Sequence, residues 1–126
     1  MPSSSNHSAP QPSTIIADRY RLDSLRAHGG MADVWQATDL QLTRVVAIKL
    51  AAESTLAERF RREAIAAANL NHYNIVTVYD AIEDNGRQAV IMEFVDGESL
   101  RERLDREQTL SINSVLSIGY SVCSAL

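Results

Sequence analysis

The chain has 126 residues, of which 45% are hydrophobic and 22% are charged, and this composition fits one globular domain or part of one. A formal net charge of −4 excludes the basic surface of a nucleic-acid-binding protein. The single cysteine, Cys123, excludes an intrachain disulfide and a cysteine metal cluster, so we expect a reducing, cytoplasmic location. The sequence has neither a long apolar run nor a signal-peptide pattern, and we expect membrane contact only through segments outside this chain.

The amino end is predicted to be a disordered leader, because residues 1–14 are mostly polar and offer little to bury. Order is predicted to begin within residues 15–20. Alternating apolar residues in segments 19–25 and 33–37 predict two strands, and residues 27–32 form a glycine-containing turn between them.

The turn that contains Gly29 and Gly30 has two interpretations. It is typical of a hairpin that needs positive φ at one or two residues, which glycine adopts without steric cost. It is also typical of a backbone that approaches a phosphate closely, because glycine has no Cβ in the way.

The next strand, residues 45–50, places a lysine on one of its faces. Side chains alternate in a strand, so Lys49 shares a face with Val45 and Ala47, and the other face is wholly apolar. A helix is predicted from Ser54 to about Leu70, and Thr55 and Glu58 fit a capping box at its start. Its inward stripe is predicted to carry Leu56, Phe60, Glu63, Ala67 and Leu70.

Lys49 and Glu63 therefore both fall on predicted inward faces. An ion pair between them is one solution, since an unpaired buried charge costs several kcal/mol. The other is that Lys49 extends to solvent and Glu63 lies at the edge of the helix.

The rest of the chain predicts one hairpin and two helices. Residues 75–83 and 88–94 are predicted strands joined through Asn85-Gly86, a strong hairpin signal. Residues 98–107 predict a polar helix. Ser111 is the predicted N-cap of a last helix, whose apolar face carries Ile112, Val115, Gly119, Val122 and Leu126.

Several short motifs occur in an order typical of one family. They are Gly29-Gly30-Met31-Ala32, Ala47-Ile48-Lys49, Phe60-Arg61-Arg62-Glu63-Ala64, His72-Tyr73-Asn74-Ile75-Val76 and Val90-Ile91-Met92-Glu93-Phe94-Val95. Together they resemble the protein kinases, and in particular the bacterial serine/threonine kinases related to eukaryotic ones. The resemblance extends over residues 20–126.

The resemblance implies an α+β fold: the small lobe of a protein kinase, with a five-stranded antiparallel sheet and the helix called αC in that family. A hinge and the first helices of the large lobe (αD and αE) would follow. The implied domains are a leader at 1–14, the small lobe with its hinge at 15–95, and an incomplete start of the large lobe at 96–126.

The resemblance also implies roles for single residues. Lys49 would touch the α- and β-phosphates of ATP and pair with Glu63, which gives these two the catalytic roles. The backbone of Glu93 and Val95 would bind the adenine edge. The remaining implied ATP-binding residues are Arg26, Ala27, His28, Gly29, Gly30, Met31 and Ala32 around the turn, Val34 and Ala47 over adenine, and Met92 as gatekeeper.

Some residues depart from the family pattern or leave their roles open. Ala27 stands where the first glycine is usual, and alanine would cost about 1–2 kcal/mol if that position needs positive φ. Arg26 stands where Ile or Leu is typical. Asp96 or Glu98 could meet the ribose hydroxyls, or both could be solvated surface charges.

The chain contains neither an H-R-D-x-x-x-x-N motif nor D-F-G, so the acceptor base and the Mg²⁺ ligands of a kinase lie outside it. We therefore expect the ATP-binding portion of a serine/threonine kinase, in a truncated chain that is inactive alone. The implied partners are ATP with Mg²⁺, protein substrates and a second kinase domain in a dimer. The alternative is a non-catalytic fragment or pseudokinase that acts as a protein-interaction module.

Overall fold

A computed structural model describes residues 9–52 and 56–126. Most of the predicted leader and the predicted helix start at Ser54 and Thr55 lie outside these residues. Within them the strands are β1 (Ile15–Ile16), β2 (Tyr20–His28), β3 (Ala32–Asp39), β4 (Arg44–Ala51), β5 (Val78–Asp84) and β6 (Arg87–Glu93). The helices are α1 (Ala57–Ala68), α2 (Leu100–Glu107) and α3 (Ile112–Ala125).

The strands form one antiparallel sheet in the order β1-β2-β3-β4-β6-β5. The predicted small-lobe sheet is confirmed, and the described residues add the two-residue strand β1 to the five predicted strands. Backbone hydrogen bonds also join Ser13 and Thr14 to Leu22, so pairing with β2 begins just before β1.

Alternation along β4 places its apolar face in the core, as predicted. Val46, Ile48 and Leu50 are buried there, whereas Lys49 lies on the opposite side. The cluster around them comprises Ile16, Tyr20, Leu22, Trp35, Ala37, Ala89 and Ile91. The sheet therefore encloses its own hydrophobic core.

A buried ion pair ties the start of β2 to the end of β3. Asp39 is 1% exposed, and its carboxylate accepts hydrogen bonds from Arg19 Nε at 3.0 Å and Nη2 at 2.8 Å. The backbone N–H groups of Gln41 and Leu42 donate to the same carboxylate. The guanidinium of Arg19 and these donors lower the pKa of Asp39 to about 2, because they stabilise its charged form.

The hairpin between β5 and β6 has the predicted turn. Asn85 and Gly86 have φ values of 52° and 78°, the left-handed pair that a tight hairpin turn requires. The first strand of this hairpin starts later than predicted, since pairing begins at Val78 rather than at residue 75.

Helix α1 buries fewer residues than its sequence predicts. Phe60 and Ala64, one turn apart, pack against the sheet beside Ala51 and Val90. The predicted inward positions of Leu56 and Leu70 are wrong: these side chains are 73% and 54% exposed. Leu56 is the N-cap and Leu70 lies beyond the last helical residue, so neither continues the helical stripe.

Helices α2 and α3 begin at serine N-caps. Ser99 forms a capping box with Glu102, and Ser111 accepts a hydrogen bond from the backbone N–H of Ser114 as predicted. Neither helix buries a residue. No helix in the described ranges has the length and apolar content to cross a membrane.

Candidate functional site

Strand register collects the predicted site residues on one face of the sheet. Ala27 pairs with Val34, Val34 with Lys49, and Lys49 with Val90, so one row crosses four strands. Residues directly opposite each other in antiparallel strands share a face. Ala47, two residues before Lys49, pairs with Met92 in the adjacent row of that face. We call this surface the site face.

The glycine turn at the end of this row is shorter than predicted. Strand β2 continues through His28 and β3 begins at Ala32, and the Gly29 N–H donates to the Ala32 carbonyl at 3.1 Å. Neither Gly29 nor Gly30 has a positive φ, so the prediction that the hairpin needs one is wrong. Glycine at position 29 instead avoids a close contact, because a Cβ there would lie 3.0 Å from the Ala32 oxygen.

Ala27 does not meet the condition under which alanine would be costly. It lies inside β2 and does not have a positive φ. The conditional penalty for alanine therefore does not arise, because the extended conformation suits any L-residue.

A side-chain contact that sequence analysis did not predict lies beside the turn. His28 and Asp33 face each other across the two strands, and His28 Nδ1 is 2.6 Å from Asp33 Oδ1. Residues that flank a tight hairpin turn pair with each other, so the spacing of five residues could have indicated this contact. This contact between His28 and Asp33 joins β2 and β3 at the residue before Gly29.

Lys49 is the single lysine of the chain, and the other eleven cationic side chains are arginines. Its Nζ atom lies 5.9 Å from the centroid of the Phe60 ring in α1. A cation over an aromatic ring is stabilised by the negative ring face. Phe60 was predicted only as an apolar core residue.

Lys49 and Glu63 line the same cavity but do not form the predicted ion pair. Glu63 Oε1 lies 3.3 Å from Arg59 Nε instead, one helical turn away, and the Glu63 side chain is 59% exposed. An exposed carboxylate is solvated and gains little from any one partner. The structure therefore favours the alternative, with Glu63 at the edge of the helix.

The cavity between α1 and the site face has a volume of about 360 Å³. Its polar groups are Lys49 and Glu63, and its apolar lining comprises Phe60, Ala64, Ala67, Ile75, Val76, Val78, Val90 and Met92. The cavity therefore combines the ammonium group of Lys49 with a mostly apolar lining.

The segment after β6 lies beside the end of β2. The Glu93 N–H donates to the Thr77 carbonyl at 2.8 Å, and the Glu93 carboxylate accepts from the Thr77 N–H. Val95 is 60% exposed. Between them, Phe94 has Arg26 Cζ over its ring at 5.8 Å from the centroid, a contact that sequence analysis missed.

Glu98 is held at the start of α2 by Arg106. The Arg106 guanidinium donates through Nε and Nη2 to the two oxygens of Glu98, and this hydrogen bonding lowers the pKa of Glu98. The surface-charge interpretation of Glu98 is therefore favoured. In the part of the chain that the structure describes, no cluster of three or more His, Cys, Asp or Glu side chains could hold a metal ion.

Comparison with known proteins agrees with this arrangement of strands and helices. The kinase domain of PknI from Mycobacterium tuberculosis, a crystal structure, superposes with a TM-score of 0.77 at 27% identity. That superposition covers 93% of this chain and 50% of the PknI chain. The class defined by the fold is thus a kinase small lobe.

Sequence comparison assigns the family. The protein kinase domain matches residues 23–126, and the chain belongs to the protein kinase family. It is 39% identical to the probable serine/threonine-protein kinase pknA2 of Bifidobacterium longum, over 86% of this chain and 15% of that protein. It is 37% identical to the serine/threonine-protein kinase PrkC of Bacillus subtilis, over 88% of this chain and 18% of that protein. The chain thus spans less than a fifth of these two relatives.

Proposed function

We propose that this chain is the ATP-binding portion of a serine/threonine protein kinase, which transfers the γ-phosphate of ATP to hydroxyl groups of protein substrates. The observation that carries the proposal is the row of Ala27, Val34 and Lys49, which leads from the glycine turn to the ammonium group. A polyphosphate needs a cation and closely approaching backbone N–H groups, and the two ends of this row suit those needs.

The apolar part of the site face suits the base of the nucleotide. Val34 and Ala47 lie on adjacent strands, and Met92 pairs with Ala47. Adenine would lie against these side chains, with its edge toward the backbone of Glu93 and Val95. Backbone groups at a strand end fix such an edge without demanding a particular side chain, since every residue carries a donor or acceptor there.

Glu63 would act through Lys49 once phosphate is bound. In the present structure it contacts Arg59, and an exposed pair of this kind contributes about 0–1 kcal/mol. A change of partner by the Glu63 carboxylate, from Arg59 to Lys49, would therefore cost little free energy. We assign no Mg²⁺ ligand in this chain, and phosphoryl transfer would depend on residues outside it.

The experiment that tests the proposal is a calorimetric titration of the chain with ATP. The Lys49→Met variant is expected to bind about ten- to a hundredfold more weakly, because it loses a charged hydrogen-bond donor to phosphate. Arg61→Met is the matched control, since Arg61 is an exposed cation of α1 that does not line the cavity. Equal ATP affinity in Lys49→Met and the wild type would overturn the proposal.

Activity can be tested in a protein that joins this chain to a kinase large lobe. There Lys49→Met is expected to abolish autophosphorylation and to leave the fold intact. Phosphate incorporation equal to that of the wild type would contradict the role of Lys49.

A further inference from the structure

The inward face of α1 is built mostly of small side chains. Phe60 packs against the sheet, but Ala64 and Ala67, the next residues of the same face, carry only a methyl group each. Side chains one helical turn apart cover adjacent parts of the sheet, so alanines leave space there that larger residues would fill. This is the physical origin of the cavity of about 360 Å³ between α1 and the site face.

The apolar lining of this cavity is open to solvent. Ile75, Val78 and Met92 line it, and all three are half-buried. Val76, at 40% exposure, also lines it. Apolar side chains that face water are stabilised when an apolar ligand covers them. The volume is within the range of about 300–1,000 Å³ that small-molecule sites occupy.

The charges at the cavity favour an anionic ligand. Lys49 and Glu63 both line it. The Glu63 carboxylate already has a cationic partner, Arg59, at 3.3 Å. Within residues 9–52 and 56–126, no carboxylate forms an ion pair with Lys49, whose Nζ lies 5.9 Å from the centroid of the Phe60 ring. The ammonium group is thus available to a carboxylate on a ligand.

We propose that this cavity binds an alkyl carboxylate, with the alkyl chain against the apolar lining and the carboxylate on Lys49. A carboxylate beside an ammonium group forms charge-assisted hydrogen bonds, and every methylene that enters the cavity leaves water. The site lies between α1 and the sheet, so it is distinct from the row of Ala27 and Val34 and from the base site at Ala47. An alkyl carboxylate would compete with ATP for Lys49, and this consequence alone rests on the proposed function.

The experiment is a calorimetric titration of the chain with hexanoate, octanoate, 1-octanol and octylamine, in the absence of ATP. Octanoate is expected to bind about tenfold more tightly than hexanoate or better, because each further buried methylene adds about fourfold. It should also bind about three- to tenfold more tightly than 1-octanol, which has no charge, and than octylamine, which has the opposite charge.

Two alanines of α1 provide a matched pair of variants. Ala67→Phe places a ring in the cavity and is expected to weaken octanoate binding about tenfold or more. Ala66→Phe is the control: Ala66 is exposed and does not line the cavity, so affinity should stay within about twofold of the wild type. The thermal unfolding midpoint of each variant checks the fold. Val76→Trp fills the cavity from another segment and replaces Ala67→Phe if that midpoint falls.

The remaining outcomes separate this inference from the proposed function. Octanoate affinity equal to that of the wild type in both cavity-filling variants would overturn the location of the site. 1-Octanol or octylamine binding as tightly as octanoate would overturn the role of Lys49. A chain that binds ATP but not octanoate would overturn the inference and leave the proposed function standing. A chain that binds octanoate but not ATP would support the inference and overturn the proposed function.

Discussion

The sheet and the two carboxyl-terminal helices are stabilised in different ways. The sheet encloses a cluster of ten buried residues, among them Leu22 and Ile48 at 0% exposure. Helices α2 and α3 bury none, and Leu116 in α3 is 65% exposed. Burial of apolar surface therefore stabilises the sheet, whereas serine caps support both helices and surface ion pairs support α2.

Ion pairs show the same contrast. The Asp39 carboxylate is 1% exposed and accepts four hydrogen bonds. The Arg106–Glu98 pair lies on the surface, with side-chain exposures of 58% and 40%. Removing water from a charge makes its partner indispensable, so an arginine–carboxylate pair contributes differently to stability in each region.

The largest expected effect comes from the same substitution made in both regions. Leu22→Ala is expected to lower the free energy of unfolding by about 2–5 kcal/mol, because it leaves a cavity in the core. Leu116→Ala should change it by less than about 0.5 kcal/mol, because that side chain is already in solvent. Urea unfolding followed by tryptophan fluorescence measures both, since the single tryptophan, Trp35, lies in the buried cluster.

Equal losses in the two leucine variants would contradict the contrast. That result would mean that α3 is packed as tightly as the sheet. Equal slopes of the unfolding curves in both variants serve as the control, because they show that the same surface is exposed on unfolding.

A smaller effect is expected at Asp39, and it depends on pH. The pKa of this carboxyl falls from 3.8 to about 2 on folding, so folding favours its charged form. The stabilisation is complete above the unfolded pKa and is lost as pH falls from about 5 toward 2, an amount of about 2 kcal/mol. Asp39→Asn should therefore destabilise the sheet at pH 7 and flatten this part of the pH dependence.

Glu98→Gln is the matched control in the helical region. The pKa of Glu98 is also lowered, by Arg106, but the pair is exposed and screened by solvent. We expect no measurable change in the unfolding midpoint of the sheet. The contrast fails if Asp39→Asn retains the acid sensitivity of the wild type.

Much of the fold could be predicted because local patterns and tertiary packing agree there. Alternation along β4 predicted the buried face, and Asn85-Gly86 predicted the left-handed hairpin turn. The serine cap at residue 111 was also predictable, because a capping hydrogen bond is local in the chain.

The site was less predictable because its details depend on register and competing partners. Helical spacing placed Glu63 inward, but it cannot show that the Glu63 carboxylate pairs with Arg59 on the preceding turn. The position of Ala27 was recognised by motif, whereas its extended backbone follows from pairing with Val34. The contact of Arg26 with Phe94 joins distant segments, so no local pattern predicts it.

The most direct test of the central claim uses the single lysine of the chain. Acetylation of the Lys49 ε-amino group would be followed by mass spectrometry of the peptide that contains it, with and without saturating ATP. If the site face binds the nucleotide phosphates, ATP should slow acetylation of Lys49 about tenfold or more and leave the α-amino group unaffected. Acetylation of Lys49 at the same rate with and without ATP would contradict the account.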